Sequence, residues 1–193
     1  MPPVAGLLLT GGASRRLGID KATLLVDGER LADHAARVLA AVVAPVIEVG
    51  PGYTSLPAVR EDRPGDGPLV ALAAGAAALA ARALEVPAVV LAVDLPFVDV
   101  SVVEWLAAHS APGTVVPLVD GIPQTLCARY GWDALDAARG LADEGARSLR
   151  AVLAAVPVHE ALEAEWRAVA TRRTFLDVDT QGDVEAFGLS PPG

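Results

Sequence analysis

An apolar run, Leu7-Leu8-Leu9, passes through Thr10 into the glycine pair Gly11-Gly12, and Arg15, Arg16 and Lys21 follow within a few positions. Glycine lets backbone N–H groups approach a ligand closely, and the cations match a polyanion. Together they have the composition of a loop that holds phosphates at the end of a strand. No Gly-Lys-Ser/Thr follows, so this is not a P-loop, and the dinucleotide G-x-G-x-x-G pattern is also absent. A plain turn is the competing reading of the glycine pair. Arg15 and Lys21 are favoured as the phosphate ligands.

Carboxylates supply the other half of the chemistry. Asp94 closes an apolar run and precedes Leu95-Pro96. It can cap the next turn, or serve as the hard oxygen ligand that Mg²⁺ on nucleotide phosphates requires. Asp62 lies between Glu61 and the turn-rich Arg63-Pro64-Gly65-Asp66-Gly67-Pro68, where charges are commonly just solvated. Asp177 and Asp179 flank Val178, so in an extended segment both face one side, and a cation between them would relieve their repulsion. Asp179 can equally be a helix N-cap. His34, His109 and His159 are far apart in the chain and read as structural or exposed, with His34 and His109 on helices. Cys127 reads as a buried core thiol. Trp105, Trp132 and Trp166 read as packing residues. No Ser/His/Asp set recommends itself for nucleophilic catalysis.

The elements that must position these groups alternate strand and helix. Val4–Leu9 is a short continuous apolar run, as a buried parallel strand requires. Leu24–Val26 ends at Asp27-Gly28, and residues 31–43 carry apolar residues at helical spacing. Strands are expected at Val46–Val49 and Ala58–Arg60, a small-residue helix packed on a sheet at Leu69–Leu84, a strand at Ala88–Val93 and a helix at Ser101–Ala108. This predicts an α/β fold, a doubly wound, mostly parallel sheet with helices on both faces. Ligands bind outside the carboxyl ends of such strands, so Gly11, Asp62 and Asp94 could line one pocket. Beyond that, Thr114–Val119 and Thr125–Tyr130 read as strands around a turn, 132–141 and 147–155 as helices, 175–178 as a last strand and 184–187 as a terminal helix. Ser190–Gly193 is expected to be loose.

The 193 residues suit one domain, 1–193, with a nucleotide-binding half over about 1–110 and an acceptor-side half over about 111–193. A 53% hydrophobic composition and a mean hydropathy of +0.44 favour a packed core over disorder. The net charge of -9 argues against a nucleic-acid partner and makes the basic loop stand out. One cysteine excludes an intrachain disulfide and a cysteine-based zinc site. The apolar start precedes its cations, the wrong order for a signal peptide, and residues 67–81, the longest internal uncharged run, fall short of the roughly 20 residues of a membrane helix. The expectation is a soluble, cytoplasmic protein with no membrane partner.

Leu9-Thr10-Gly11-Gly12-Ala13-Ser14-Arg15-Arg16-Leu17-Gly18 through Lys21 resembles the signature loop of nucleotidyltransferases, specifically the molybdenum cofactor guanylyltransferases. Further segments match in order: Glu61-Asp62 with Gly67-Pro68-Leu69, Asp94-Leu95-Pro96, Gln124–Tyr130, Arg147-Ser148-Leu149 and Asp179-Thr180. Three positions depart from the family pattern. Thr10 stands where the family usually has Ala, Thr125 where it has Pro, and Asp179-Thr180-Gln181-Gly182 where it reads Asn-Thr-Pro-Glu. The double glycine favours guanylyl transfer, while Asp179 leans toward the cytidylyl relatives. The resemblance implies a Rossmann-like nucleotidyltransferase fold and Mg²⁺-dependent transfer of GMP from GTP to molybdenum-bound molybdopterin. It implies nucleoside contacts from Leu9, Thr10 and Asp62, and pyrophosphate contacts from Gly11, Gly12, Arg15 and Lys21. Asp94 would hold the metal with Asp179. GTP, a molybdopterin-type acceptor, and molybdoenzymes or their chaperones are the implied partners. A different nucleotidyltransferase, acting on CTP, a sugar phosphate or phospholactate, and a non-catalytic nucleotide-binding module are the alternatives.

Overall fold

The computed structural model describes residues 3–11, 17–61 and 65–192. Strand β1 (Ala5–Leu9) leads to a 3-10 turn at Lys21–Thr23, a small hairpin of β2 (Leu25–Val26) and β3 (Glu29–Arg30), and helix α1 (Leu31–Ala40). Then come β4 (Val46–Val49), β5 (Ala58–Val59), α2 (Pro68–Ala80), β6 (Ala88–Ala92) and α3 (Val100–Ala108). The remainder is β7 (Thr114–Val119), β8 (Ile122–Pro123), β9 (Cys127–Tyr130), α4 (Trp132–Asp143), α5 (Leu149–Ala155), β10 (Val158–Ala161), α6 (Glu163–Trp166) and α7 (Gln181–Ala186).

The main sheet runs β10-β7-β9-β6-β1-β4-β5, with β8 attached to β7. Within this path the pairs are parallel except where β9 inserts antiparallel between β6 and β7. Alternation of side chains along each strand divides the core in two. Leu7, Leu9, Val49 and Val90 face α2, α4 and α5, while Leu8, Val89, Leu91 and Cys127 face α1 and α3. The fold is therefore the expected α/β sheet with helices on both faces. Helix α2 lies close to the sheet because Gly75 leaves room: a Cβ there would sit 2.8 Å from Leu7 Cδ1 and 3.1 Å from Val49 Cγ2. It stops at Ala80, short of the expected Leu84, because Ala83 turns left-handed (φ 55°) and Leu84 N–H returns to Leu79 O.

Three expectations need correction. Residues 175–178 form no strand. Arg172–Phe175 make a 3-10 turn, and the chain then crosses the end of β6, where Val178 N–H donates to Asp94 O at 3.0 Å. Strand β10 was not expected, because Val-His-Glu-Ala is half polar, as an edge strand paired on one side can be. Ser190 is not loose: its N–H and C=O pair with those of Leu25 at 3.1 and 2.8 Å.

Candidate functional site

The carboxyl ends of β1 and β6 lie side by side, and Val93 N–H continues their ladder by donating to Leu9 O at 3.0 Å. The next residue is Asp94, so its carboxylate is delivered by a strand held on both flanks. Lys21 arrives from the other side on its 3-10 turn, whose start is capped by Asp20 Oδ1 accepting from Ala22 N–H at 3.1 Å. Lys21 Nζ donates to Asp94 Oδ2 at 2.9 Å and to Asp179 Oδ1 at 2.7 Å. Burial pulls the ammonium pKa down, but Asp94 and Asp179 outweigh it and hold it above the ordinary lysine value.

Asp179 reaches this point because Val178 is anchored to Asp94 O. Its carboxylate is not spent on the following helix: Thr180 is the N-cap, in a reciprocal box with Asp183. Asp177, beside it, is held above the usual carboxylate range by burial and by its charged neighbours Asp179 and Asp94. Asp94 Oδ1 is buried and has no hydrogen-bond partner among the described residues. An orphaned carboxylate oxygen beside two further carboxylates is a donor set suited to a hard divalent cation.

Leu9, Thr10, Gly11, Lys21 and Asp94 all line one cavity of about 230 Å³, with Asp20, Glu61, Gly67, Pro68, Ala71 and Leu126. Gly12, Arg15 and Asp62 lie outside the described residues. Asp179 is not in the lining and joins the site through Lys21. Two backbone donors are already used inside the protein: Thr10 N–H and Gly11 N–H both point to Val49 O, at 3.0 and 3.3 Å. The Thr10 hydroxyl is likewise turned away, donating to Glu48 Oε1 at 2.7 Å. A Cβ at Gly11 would fall 2.4 Å from Glu61 Oε1, so the Glu61 carboxylate would have to move to admit one. Glu61, which the sequence offers only as a neighbour of Asp62 and assigns no role of its own, is a buried carboxylate in the pocket lining.

The histidines require a correction. His109 caps the end of α3 and is not on the helix, and its ring centroid lies 4.9 Å from that of His159 despite their separation in sequence. Glu165 Oε2 approaches His159 Nε2 at 2.9 Å and His109 Nε2 at 3.5 Å, so the three ligand-type atoms fall within 4.8 Å. Ala111 N–H donates to His109 Nδ1 at 3.2 Å, which leaves the ring proton on Nε2, facing Glu165. In that tautomer the three groups form a hydrogen-bonded clamp between the end of α3, β10 and α6.

Known proteins share both sequence and fold with this chain. Relatives from Mycobacterium tuberculosis and Mycobacterium avium carry the name "Probable molybdenum cofactor guanylyltransferase". The first is 37% identical over 160 residues, covering 78% of this chain and 79% of its own. The second is 33% identical over 196 residues, covering 95% and 94%. Among solved structures, molybdopterin-guanine dinucleotide biosynthesis protein A from Archaeoglobus fulgidus superposes with a TM-score of 0.79 at 21% identity, covering 95% of this chain and 96% of its own. The model of the MobA-like NTP transferase domain matches residues 6–161, from the second residue of β1 to the last of β10, and the chain belongs to that family.

Proposed function

We propose that this nucleotidyltransferase moves GMP from GTP to the phosphate of molybdenum-bound molybdopterin. An oxygen of the acceptor phosphate attacks the α-phosphorus. The new P–O bond forms as the bond to the β-phosphate oxygen breaks, and pyrophosphate leaves with that electron pair. The acceptor oxygen is already anionic, so no strong general base is needed, and catalysis is positioning plus charge neutralisation. The observation that carries this reading is the meeting of Lys21 and Asp94 at the rim of the glycine-lined cavity.

The charged groups divide into two roles. Asp94 and Asp179 would hold Mg²⁺, which when bound supplies charge neutralisation on the phosphates. Lys21 pairs with both of those carboxylates. With Mg²⁺ on those carboxylates, the Lys21 ammonium would donate to the β- and γ-phosphates, the role the family resemblance also implies for Arg15. The apolar wall of Leu9, Ala71 and Leu126 suits a nucleobase, and a carboxylate at 61 or 62 suits the ring and exocyclic N–H donors of guanine. On this reading the reaction runs in the cytoplasm. No described helix is long and apolar enough to cross a membrane.

Thermal shift with Mg²⁺ and GTP, CTP or ATP tests the nucleotide. Pyrophosphate release on adding molybdenum-loaded molybdopterin tests the reaction. A larger shift with CTP would transfer the reading to the cytidylyl reaction, and binding without release would reduce the chain to a nucleotide-binding module.

A further inference from the structure

Glu48 lies in the middle of β4, in the sequence Val-Ile-Glu-Val, and is fully buried. An ionised carboxylate in a sheet core is prohibitively costly unless donors surround it, and an apolar residue there would serve strand and core better. Five donors surround this one. Oε1 accepts from the Thr10 hydroxyl at 2.7 Å, Gly52 N–H at 3.0 Å and Tyr53 N–H at 2.7 Å. Oε2 accepts from Thr54 N–H at 2.9 Å and the Thr54 hydroxyl at 2.7 Å. These bonds outweigh the upward push of burial and hold the carboxyl below its ordinary pKa.

The donors come from two places, both leading to the nucleotide cavity. Thr10 is the residue between β1 and the glycine pair. The loop at 52–54 carries Tyr53, whose phenol donates to Asp20 Oδ2. Asp20 in turn caps the turn bearing Lys21 and lines the cavity. Gly50 permits the approach, because a Cβ there would lie 2.2 Å from Thr10 Oγ1 and 2.8 Å from Gly11 N.

We infer that Glu48 is a positioning residue that sets Thr10 and Gly11 at the end of β1 directly, and Lys21 through the Tyr53–Asp20 relay. The inference rests on the nucleotidyl-transfer reading. Glu48→Gln keeps size but offers one acceptor oxygen, and its amide N–H groups oppose donors. Tyr53→Phe removes only the phenol link to Asp20. Turnover is read as pyrophosphate release from GTP with Mg²⁺ and molybdenum-loaded molybdopterin, and GTP affinity by calorimetric titration.

The expected result is a loss of kcat of about tenfold or more in Glu48→Gln and about threefold or more in Tyr53→Phe, with GTP affinity changed less than about threefold in each, because misplaced groups lose alignment in the transition state before they lose ground-state binding. A purely structural Glu48 would lower Tm and leave kcat per folded molecule unchanged. A folded Glu48→Gln protein with kcat within about twofold of the parent overturns the inference. If that variant does not fold, the same result in Tyr53→Phe overturns it. Absence of turnover in the parent chain is a separate outcome, which sinks the nucleotidyl-transfer reading and this role with it.

Discussion

Lys21 and Asp94 were legible because their types stand out where they occur: a cation soon after a glycine pair, a carboxylate at the end of an apolar run. Glu48 was not, since one carboxylate in Val-Ile-Glu-Val discloses nothing until Thr10 and the 52–54 loop fold onto it. Asp179 stayed ambiguous until Thr180 took the cap. Lys21→Ala should lower kcat/KM by about 10²–10³, the cost of losing one preorganised donor to a developing anion. The fold should survive, because Lys21 sits on a short turn at the cavity rim. Near-parental pyrophosphate release from this variant would remove Lys21 from the mechanism. Asp94→Asn should raise the Mg²⁺ midpoint of the reaction by at least the roughly 10–100-fold that outer-shell losses cost. An unchanged Mg²⁺ titration would count against Asp94 as a ligand.

At the scale of elements, apolar periodicity located the buried strands and the helices that cover them, and it failed at the margins. Strand β10 pairs on one side, so its pattern is half polar. The segment before Asp179 meets the end of β6 through the Val178 N–H bond to Asp94 O and not through a ladder, so an extended stretch there imitates a strand. Strand β9 carries a device that no periodicity discloses. Arg129 is buried and donates to Gly113 O, Leu106 O, His109 O and Ala111 O, closing the end of α3 and the loop into β7. Arg129→Met keeps the apolar stem but leaves those carbonyls without a donor. It should cost about 3–5 kcal/mol, read in thermal unfolding as a Tm fall of roughly 6–20 °C. A shift of only a degree or two would mean that water replaces the guanidinium at little cost.

Across the whole molecule, ionisable groups with displaced pKa values set how stability follows pH. Lys21 is raised, so its contribution is complete below the unfolded value and is lost as pH rises through the folded one. Glu48, Glu165 and Asp183 are lowered, so theirs is present above the unfolded values and lost as pH falls through the folded ones. His109 acts at milder pH. Burial first, then His159 and Arg129, lower its pKa, against the opposing pull of Glu165. Below about pH 6.5, the reference histidine value, the unfolded chain takes up a proton there that the folded chain refuses, so stability falls as pH falls. His109→Asn removes that proton uptake, and it also removes the donor to Glu165 and the ring packed between Trp105 and His159. The variant should therefore be less stable than the parent at pH 7.5, and the Tm gap between them should narrow toward pH 5. A gap that stays constant over that range would mean that His109 titrates alike in both states and that its ring serves by packing alone.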